Sequence, residues 1–378
     1  MSAFSNPRGF LRRLASLGLM SVLALSLTPA GIGGQRHAAT PIVSVFANEL
    51  NNPRGLKFGP GGYLYVAEGG VGGSYSTVGQ CDQVPAPIGP YTGSGTGSRI
   101  SRISSHGQRT TVVDNLPSST TTAQTGSFVS GVGDIAFIGH TLYAVLAGAG
   151  CSHGVPDMPN GVLRIEENGR AAIIANLSAF QQANPVANPN PGDFEPDGTW
   201  YSLVNLGDAL YALEPNHGEL DQITRGGHVS RVIDISASQG HVVPTALVVH
   251  DGDFYVGTLT EFPATPVAKI YKITPNGEIS VFAQGLTTVL GLEFRGNRLY
   301  VLETSAPVTS PGPPVLPGTG RVVRVTASGA LEPVVTGLTF PTAMTLGPDG
   351  DLFISNFGFG FPPGSGQIVR AHFPDHRD

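Results

Sequence analysis

The sequence predicts an all-β fold, a six-bladed β-propeller whose blades are four-stranded antiparallel sheets. Three observations predict it. The 378 residues include 52 glycines and 31 prolines, which break helices and punctuate strands. A pair of short apolar strands separated by a tight turn recurs six times along the chain. A hairpin then supplies two further strands per repeat, and four antiparallel strands per repeat are typical of a propeller blade.

Composition and charge exclude several other classes of protein. Only 13 % of the residues are charged and 40 % are apolar, which is unlike a coiled coil or a disordered chain. The formal net charge of -6 argues against a non-specific nucleic-acid binder, which would carry a basic face. We therefore expect a turn-rich globular protein without a nucleic-acid partner.

The first two strands of each repeat are short and apolar. The first strand alternates small and apolar residues, with copies at 53–58, 132–137, 201–206, 244–249, 290–294 and 341–346. A Gly or Asp turn leads to a second strand, with copies at 64–68, 142–146, 210–214, 254–258, 299–303 and 352–356. Six copies in phase predict six equivalent blades.

The third and fourth strands are predicted from hairpin signals. Strands at 270–273 and 279–282 flank an Asn-Gly turn, and strands at 322–325 and 331–335 flank a Ser-Gly turn. Such dipeptides between alternating runs favour tight antiparallel hairpins.

The sixth repeat predicts how the ring closes. It reaches a third strand at 367–370, and no fourth strand follows. The segment 42–50 closely matches 279–286, a fourth strand of another repeat. We therefore expect a single propeller domain at 40–378, with blade six built from 42–50 plus 341–373. Closure of this kind removes exposed strand edges.

The N-terminal 39 residues have the pattern of a secretory signal. Three arginines precede an uncharged run at 14–27, and small residues follow. The run is shorter than the about 20 residues that span a bilayer. We expect 1–39 to be a signal peptide cleaved after Ala30 or Ala39, and the mature chain to be secreted or periplasmic without a membrane span. An uncleaved anchor or a buried strand is the alternative.

The long connections of the predicted blades lie on one side of the ring. In an up-and-down blade, the connections from second to third strand share a face with the crossovers between blades. We call this side the long-loop face, and functional residues commonly lie on such loops. Its long connections are 69–97, 147–160, 259–267, 304–319 and 357–365, and its long crossovers are 118–125 and 184–196.

Two cysteines lie in equivalent long loops of blades one and two. Cys81 and Cys151 therefore share one face on adjacent blades, and an even pair of cysteines usually bonds in an oxidising compartment. The sequence predicts a disulfide between them.

The residue that ends each second strand forms a mostly polar column around the ring. Its members are Glu68, Leu146, Glu214, Thr258, Glu303 and Asn356. In one interpretation, the oxygen atoms converge near the channel and hold Ca²⁺ or another divalent cation, or orient a polar substrate. In the other, each side chain accepts backbone N–H groups where the strand turns into its loop.

Three histidines and one arginine are further candidates for the long-loop face. His153, His217 and His241 could serve as acid, base or ligand, although their spacing matches no metal motif, and hydrogen-bonded structural histidines are the alternative. Arg54 enters a first strand near the channel, where it could bind an anion or pair with an acid such as Glu68.

Several segments carry a resemblance to known propeller families. Tyr-Val-Ala-Glu at 65–68 and Ser-Arg-Ile at 98–100 resemble the NHL repeat, which often uses its acid structurally. The segment 52–70, a Gly/Pro loop with a cysteine, and Pro-Thr-Ala-Met at 341–344 together resemble the ScyD/ScyE family of exported bacterial propellers. The namesakes of that family belong to gene clusters for scytonemin, an aromatic ultraviolet screen. The resemblance implies a propeller fold and an extracytoplasmic location, and it supplies no catalytic residues.

Two classes of function remain open from the sequence. The first is a binding or assembly module of the periplasm or cell envelope, whose long-loop face holds a small molecule, a polymer or an envelope protein. The second is a cation-dependent enzyme, a lactonase-like hydrolase or lyase, that uses the polar column at the channel mouth. No nucleophile elbow, phosphate-binding loop or dinucleotide fingerprint is present.

Overall fold

The computed structural model describes residues 41–260, 262–308 and 313–374. The predicted signal peptide at 1–39 lies outside these residues. The described strands form six separate antiparallel sheets, each built from consecutive strands of the chain except the last. These six sheets are the blades of a β-propeller, so the predicted fold is confirmed.

The strands are numbered in chain order, and blade six also takes the first strand. Blades one to three contain β2 Pro53–Phe58, β3 Leu64–Glu68, β4 Thr92–Ile103, β5 Arg109–Thr120, β6 Val129–Ser130; β7 Val132–Ile138, β8 Thr141–Leu146, β9 Gly161–Ile165, β10 Ala171–Asn176; and β11 Ser202–Leu206, β12 Ala209–Glu214, β13 Glu219–Thr224, β14 Val229–Asp234. Blades four to six contain β15 Val243–His250, β16 Asp253–Leu259, β17 Ala268–Ile273, β18 Ile279–Leu286; β19 Val289–Arg295, β20 Arg298–Glu303, β21 Gly320–Val325, β22 Leu331–Leu338; and β23 Ala343–Leu346, β24 Leu352–Asn356, β25 Gly366–His372, β1 Ile42–Leu50.

Helices are few and short. The described residues contain α1 Leu177–Ala183 and α2 Ser236–Gln239, with 3-10 turns at Pro60–Gly62, Ala123–Thr125, Cys151–His153 and Pro191–Asp193. Among these residues, no helix has the length and apolar character needed to cross a membrane.

The innermost strands form a closed ring around a central channel. Strand β2 contacts β7, and the contacts continue in order through β11, β15, β19 and β23, which in turn contacts β2. Each blade therefore has its first strand at the channel and its fourth towards the rim, as in other propellers, and the short strand β6 is added to blade one as a fifth strand.

Blade six joins the two ends of the described chain. Strand β1 pairs antiparallel with β25, with Val43 opposite Ala371 and Val45 opposite Val369. The N-terminal strand is thus the outermost strand of the last blade, which confirms the predicted closure. Backbone hydrogen bonds between the first and last strands lock the ring.

The hydrophobic core lies between neighbouring blades. Ile100 of blade one packs in one cluster with Ile135 of blade two, and Val162 of blade two packs with Leu203 of blade three. All four side chains are fully buried. Burial of such a side chain contributes roughly 1.5–3 kcal/mol, so each blade is stabilised mainly by its two neighbours.

The predicted tight turns carry glycine where the backbone needs it. Gly277 and Gly329 have φ values of 82° and 81°, a region that favours glycine. Each donates its N–H to a carbonyl three residues earlier, in Thr274 and Thr326. These turns set the register of the third and fourth strands in blades four and five.

Blade one departs from the predicted boundaries. Strand β4 begins at Thr92, inside the predicted loop 69–97, and β5 extends to Thr120, inside the predicted crossover 118–125. Thr92 pairs directly with Thr120, and bulges further down the ladder absorb the shifts in register. Because Thr is a good strand former, the pairing in this hairpin continues beyond the point at which the hairpins of the other blades end. Part of the expected loop surface is therefore an extended hairpin.

Candidate functional site

The polar column predicted at the ends of the second strands is buried. Glu68, Glu214 and Glu303 are fully buried, and Asn356 is nearly so. Each of these four side chains accepts the backbone N–H of a residue that shortly precedes the first strand of its own blade. The pairs are Glu68 with Asn51 at 2.6 Å, Glu214 with Thr199 at 2.9 Å, Glu303 with Thr287 at 2.7 Å, and Asn356 with Thr339 at 2.8 Å.

The remaining oxygen atoms of the column also have partners within the protein. Arg99 donates from Nε and Nη2 to the two oxygens of Glu68, both at 2.8 Å, and Arg321 donates to Glu303 at 2.6 Å. Thr258 accepts the N–H of Lys269 at 3.0 Å. These bonds have the geometry of the structural interpretation. In the part of the chain that the structure describes, no three His, Cys, Asp or Glu side chains are grouped as a metal ion would require.

Among the carboxylates of the column, Glu214 has a raised pKa. Burial raises its pKa to about 7, while the N–H groups of His217 and Thr199 oppose the shift, and the nearby Glu195 adds to it. In the same blade, burial raises the pKa of Glu219 to about 7, although its partner Arg231 lowers it. Blade three therefore holds acids that titrate near neutral pH inside the protein.

The predicted disulfide between Cys81 and Cys151 is present. It joins the long loop of blade one to that of blade two, as expected. The residues that follow Cys151 enter a buried polar network, so the disulfide anchors this network to the loop of blade one.

Two of the three candidate histidines contact Glu195, a residue that was not among the candidates from the sequence. Nε2 of His153 lies 3.3 Å from Oε2 of Glu195, and Nε2 of His217 lies 3.1 Å from the backbone oxygen of the same residue. Tyr91 donates its hydroxyl to Oε1 of Glu195 at 2.7 Å. Burial lowers the pKa of His217. Glu195 lies in an Asn/Pro-rich crossover, and no local motif indicates its role.

A second set of bonds holds the same region. Asp197 accepts both the backbone N–H and the hydroxyl of Ser152 at 2.7 Å. Ser152 and His153 are fully buried, and Glu195 is only 2 % exposed. The network therefore joins three loops and presents almost no surface to a substrate. His241 lies elsewhere, just before β15, and is half-buried.

The central channel is nearly filled by the side chains of the inner strands. The cavity among them has a volume of about 30 Å³, which is room for one or two water molecules. Lys57, which lines this cavity, forms an ion pair with Glu293 at 3.4 Å. Asp134 accepts the N–H groups of Ile135 and Leu203 at 2.8 and 2.9 Å.

The carboxylate of Asp134 is packed against Gly55, and its pKa is raised. A Cβ atom on Gly55 would lie 1.8 Å from its Oδ1, so only glycine leaves room for this carboxylate. Burial raises the pKa of Asp134 to about 6, and the positive charge of Lys57 opposes the shift.

Tyr201 closes the channel on the long-loop face. It lies just before the first strand of blade three, and its hydroxyl donates to the carbonyl oxygen of Thr342 in blade six at 3.1 Å. Blades three and six are opposite each other, so the side chain bridges the channel. Burial raises the pKa of Tyr201 to about 12, and its hydroxyl is protonated at neutral pH.

Arg54 lies beside this closure and is 8 % exposed. Its Nη2 donates to the carbonyl oxygen of Val129 at 2.6 Å, and its Nη1 donates to that of Gly358. The expected ion pair with Glu68 is not formed, because Arg99 binds both oxygens of that carboxylate. Arg54 thus joins the connection into blade two to the long loop of blade six.

Five phenylalanines lie on, or contact, the segments whose two carbonyl groups Arg54 binds. We call them the phenylalanine surface: Phe128, Phe340, Phe357, Phe359 and Phe361. All five are partly exposed. Phe340 and Phe359 stack with centroids 4.7 Å apart, and Phe128 meets the edge of Phe359 at 5.2 Å. Phe361 contacts Phe357 at 4.9 Å.

Two of these residues have strained backbones. Phe340 and Phe357 have φ values of 44° and 53°, a region that bulky residues rarely occupy. Hydrogen bonds hold them there, since Phe357 donates to Thr339 and Gly358 donates to Phe340. Strain of this kind is concentrated at binding and catalytic sites.

The sequence contained one signal for this surface that the prediction did not use. The segment 357–361 reads Phe-Gly-Phe-Gly-Phe, three aromatics at alternate positions of a loop, where polar residues are usual. Phe128 and Phe340 come from other connections, and only the fold brings them to the same place.

Comparisons with known proteins support the fold. No protein-family model matches the chain, and no curated sequence is significantly similar to it. A gluconolactonase from Xanthomonas campestris is similar in structure, with a TM-score of 0.54, 12 % identity, and coverage of 89 % of this chain and 91 % of that one.

Two further structures have a similar fold. A protein of unknown function from Bacteroides thetaiotaomicron has a TM-score of 0.55 at 12 % identity, over 89 % of this chain and 76 % of that one. A putative glucose dehydrogenase from Thermus thermophilus has a TM-score of 0.51 at 14 % identity, over 88 % and 99 %. At such identities the likeness establishes the propeller fold alone.

Proposed function

We propose that this chain is an exported binding module of the periplasm or cell envelope, and that the phenylalanine surface holds a small apolar or aromatic molecule. The observation that carries the proposal is the group of five partly exposed phenylalanines in contact on the long-loop face. Aromatic side chains at such a surface offer large contact areas at a small cost in conformational entropy.

The scaffold suits a binding role. The rings come from three connections on two adjacent blades, and the closed ring of blades fixes those connections. Arg54 ties two of them together through Val129 and Gly358. A site that is rigid before binding loses less entropy when the ligand arrives.

The cation-dependent enzyme receives less support. It relied on the polar column, and the oxygen atoms of Glu68, Glu214 and Glu303 already accept hydrogen bonds from the protein. The gluconolactonase and the putative glucose dehydrogenase share the fold with this chain, and fold alone does not decide activity.

Location and pathway belong to the proposal as well. The signal-like N-terminus favours export, and the Cys81–Cys151 disulfide is the kind of bond that persists in oxidising compartments. The resemblance to the ScyD/ScyE family extends the proposal to a role in secondary metabolism of the scytonemin type, where an aromatic ligand would be expected.

Binding of N-phenyl-1-naphthylamine, an uncharged aromatic dye that fluoresces in apolar surroundings, tests the proposal. We expect saturable binding by the mature protein and about tenfold weaker binding by the Phe359→Ala variant, since one ring contact contributes about 1.4 kcal/mol. Phe359→Leu should retain part of the affinity.

Phe282 provides the matched control. It is 44 % exposed on the outermost strand of blade four, far along the chain from the phenylalanine surface. Phe282→Ala should bind the dye as the unmodified protein does. Absence of dye binding by the folded protein, or equal losses in Phe359→Ala and Phe282→Ala, would contradict the proposal.

A further inference from the structure

Arg54 differs from three partly buried arginines of the described chain in the partners it has. Arg99 pairs with Glu68, Arg321 with Glu303, and Arg231 with Glu219. Arg54 is at least as buried as these residues, yet its hydrogen-bond acceptors are the carbonyl oxygens of Pro53, Val129 and Gly358. These oxygens carry partial charges and leave the full positive charge of the guanidinium uncompensated.

A buried charge without an opposite charge is costly. Removing an ion from water carries a large free-energy penalty, and carbonyl dipoles offset only part of it. Burial lowers the pKa of Arg54, and the hydroxyl of Tyr201 is the group that opposes this shift. Because the pKa of Tyr201 is about 12, that hydroxyl brings no negative charge at neutral pH.

The position of the guanidinium relates it to the phenylalanine surface. Gly358 lies between Phe357 and Phe359, and Val129 follows Phe128. The two carbonyl groups that Arg54 binds therefore belong to the backbone that carries these rings. Its bonds to described residues are made by Nη1 and Nη2 and none by Nε, so the guanidinium keeps donor capacity for another acceptor.

We infer that the ligand of the phenylalanine surface is an aromatic anion, whose carboxylate, sulfonate or phenolate group pairs with Arg54. This inference rests on the proposed function and adds the charge of the ligand to it. A guanidinium forms strong, directional bonds to oxyanions, and these bonds are stronger in a partly desolvated site. The rings would hold the apolar body of the ligand while Arg54 neutralises its charge.

A pair of dyes that differ in one charged group tests the inference. 1-Anilinonaphthalene-8-sulfonate carries a sulfonate on the same aromatic framework as the uncharged N-phenyl-1-naphthylamine. The mature protein should bind the anionic dye at least tenfold more tightly than the neutral one. This preference should fall as salt is added, because screening weakens the charge pair.

Variants at Arg54 separate charge from packing. Arg54→Met should abolish the preference, because it should lower affinity for the anionic dye about tenfold more than affinity for the neutral dye. Arg54→Gln keeps an amide that can bind one carbonyl and should give the same loss of preference. Arg54→Lys keeps the charge and should retain part of it. Arg164→Met, at a half-exposed arginine of blade two, is the matched control.

The ratio of the two affinities distinguishes the possible failures. If the neutral dye does not bind the folded protein, the proposed function fails. If the neutral dye binds at Phe359 and the ratio is close to one, or if Arg54→Met lowers both affinities equally, the inference about Arg54 is overturned and the proposed function stands. Should the Arg54 variants not fold, the ratio in the unmodified protein and its dependence on salt decide the matter.

Discussion

Nε2 of His153 lies 3.3 Å from Oε2 of Glu195, between the long loop of blade two and the crossover that leads to blade three. The same glutamate accepts the hydroxyl of Tyr91 from the loop of blade one, and its carbonyl oxygen contacts His217 of blade three. One buried residue thus connects the loops of three blades, and its removal affects all of them.

Glu195→Ala should lower the free energy of unfolding by about 3 kcal/mol, because it removes a buried carboxylate that contacts His153 and accepts the hydroxyl of Tyr91. Urea unfolding measures the change, and limited proteolysis should show faster cleavage within 76–90. Glu166→Ala removes a surface ion pair with Arg164 and is the control, with an expected change of at most about 1 kcal/mol. Equal effects of the two variants would refute the role of Glu195.

Stability should fall as the pH rises from about 4.5 to about 7. Burial raises the folded-state pKa of Glu214 from 4.5 to about 7 and that of Asp134 from 3.8 to about 6. A raised folded-state pKa means that the stabilisation is fully present below the unfolded pKa and is lost as the pH passes the folded pKa. Each group contributes on the order of 3 kcal/mol across this range.

Urea unfolding between pH 4 and 8 measures this dependence, and Glu214→Gln should make the profile flatter. The lowered pKa of His217 acts in the opposite direction, since its contribution is lost as the pH falls below about 6.5. Glu278→Gln changes an exposed side chain and should leave the profile unaltered. A profile that rises throughout this range would contradict the prediction.

Replacement of both Cys81 and Cys151 by Ala should destabilise the protein by about 2–4 kcal/mol, because the bond closes a loop with a sequence separation of 70 residues. Thermal unfolding of the variant and of the unmodified protein, each with and without reductant, measures the effect. Reductant should lower the Tm of the unmodified protein and leave the variant unchanged. The same Tm in all four samples would show that the bond does not stabilise the fold.

Leu50→Ala should lower the free energy of unfolding by about 2–5 kcal/mol, because Leu50 is fully buried at the end of the strand that closes blade six. Val43→Ala, on the same strand, changes a side chain that is 44 % exposed and should have an effect of about 0.5 kcal/mol. Urea unfolding compares the two. A similar loss in both variants would mean that the ring does not depend on the packing of this strand.

Much of the architecture was predictable because it follows from local patterns. Alternating strands and glycine turns such as that at Gly277 depend on residues close in sequence, and repetition in phase gives each strand its place in a blade. The pairing of 42–50 with the last blade followed from its likeness to 279–286, and the disulfide from the equivalence of two loops. The boundaries in blade one were less accurate, since pairing of Thr92 with Thr120 extends strands into predicted loops.

The candidate site was much less predictable from sequence. The column at Glu68, Glu214 and Glu303 was recognised from the sequence, which left both interpretations of its chemistry open because it does not record the directions of the carboxylates. His153 and His217 were candidates as well, whereas Glu195, which connects them, has no distinguishing local sequence. Arg54 was singled out as an anion-binding candidate, and the phenylalanines around it were not.

The sequence by itself determined that this chain is a closed six-bladed propeller with a loop-rich face, because periodicity and turn chemistry are local and repeat in register. Only the tertiary structure decided which polar groups form hydrogen bonds inside the protein, and that the acceptors of the buried Arg54 are carbonyl oxygens. Arg54 meets Gly358 across 304 positions of the chain. Such a contact depends on how six blades close around a channel, and no short-range pattern records it.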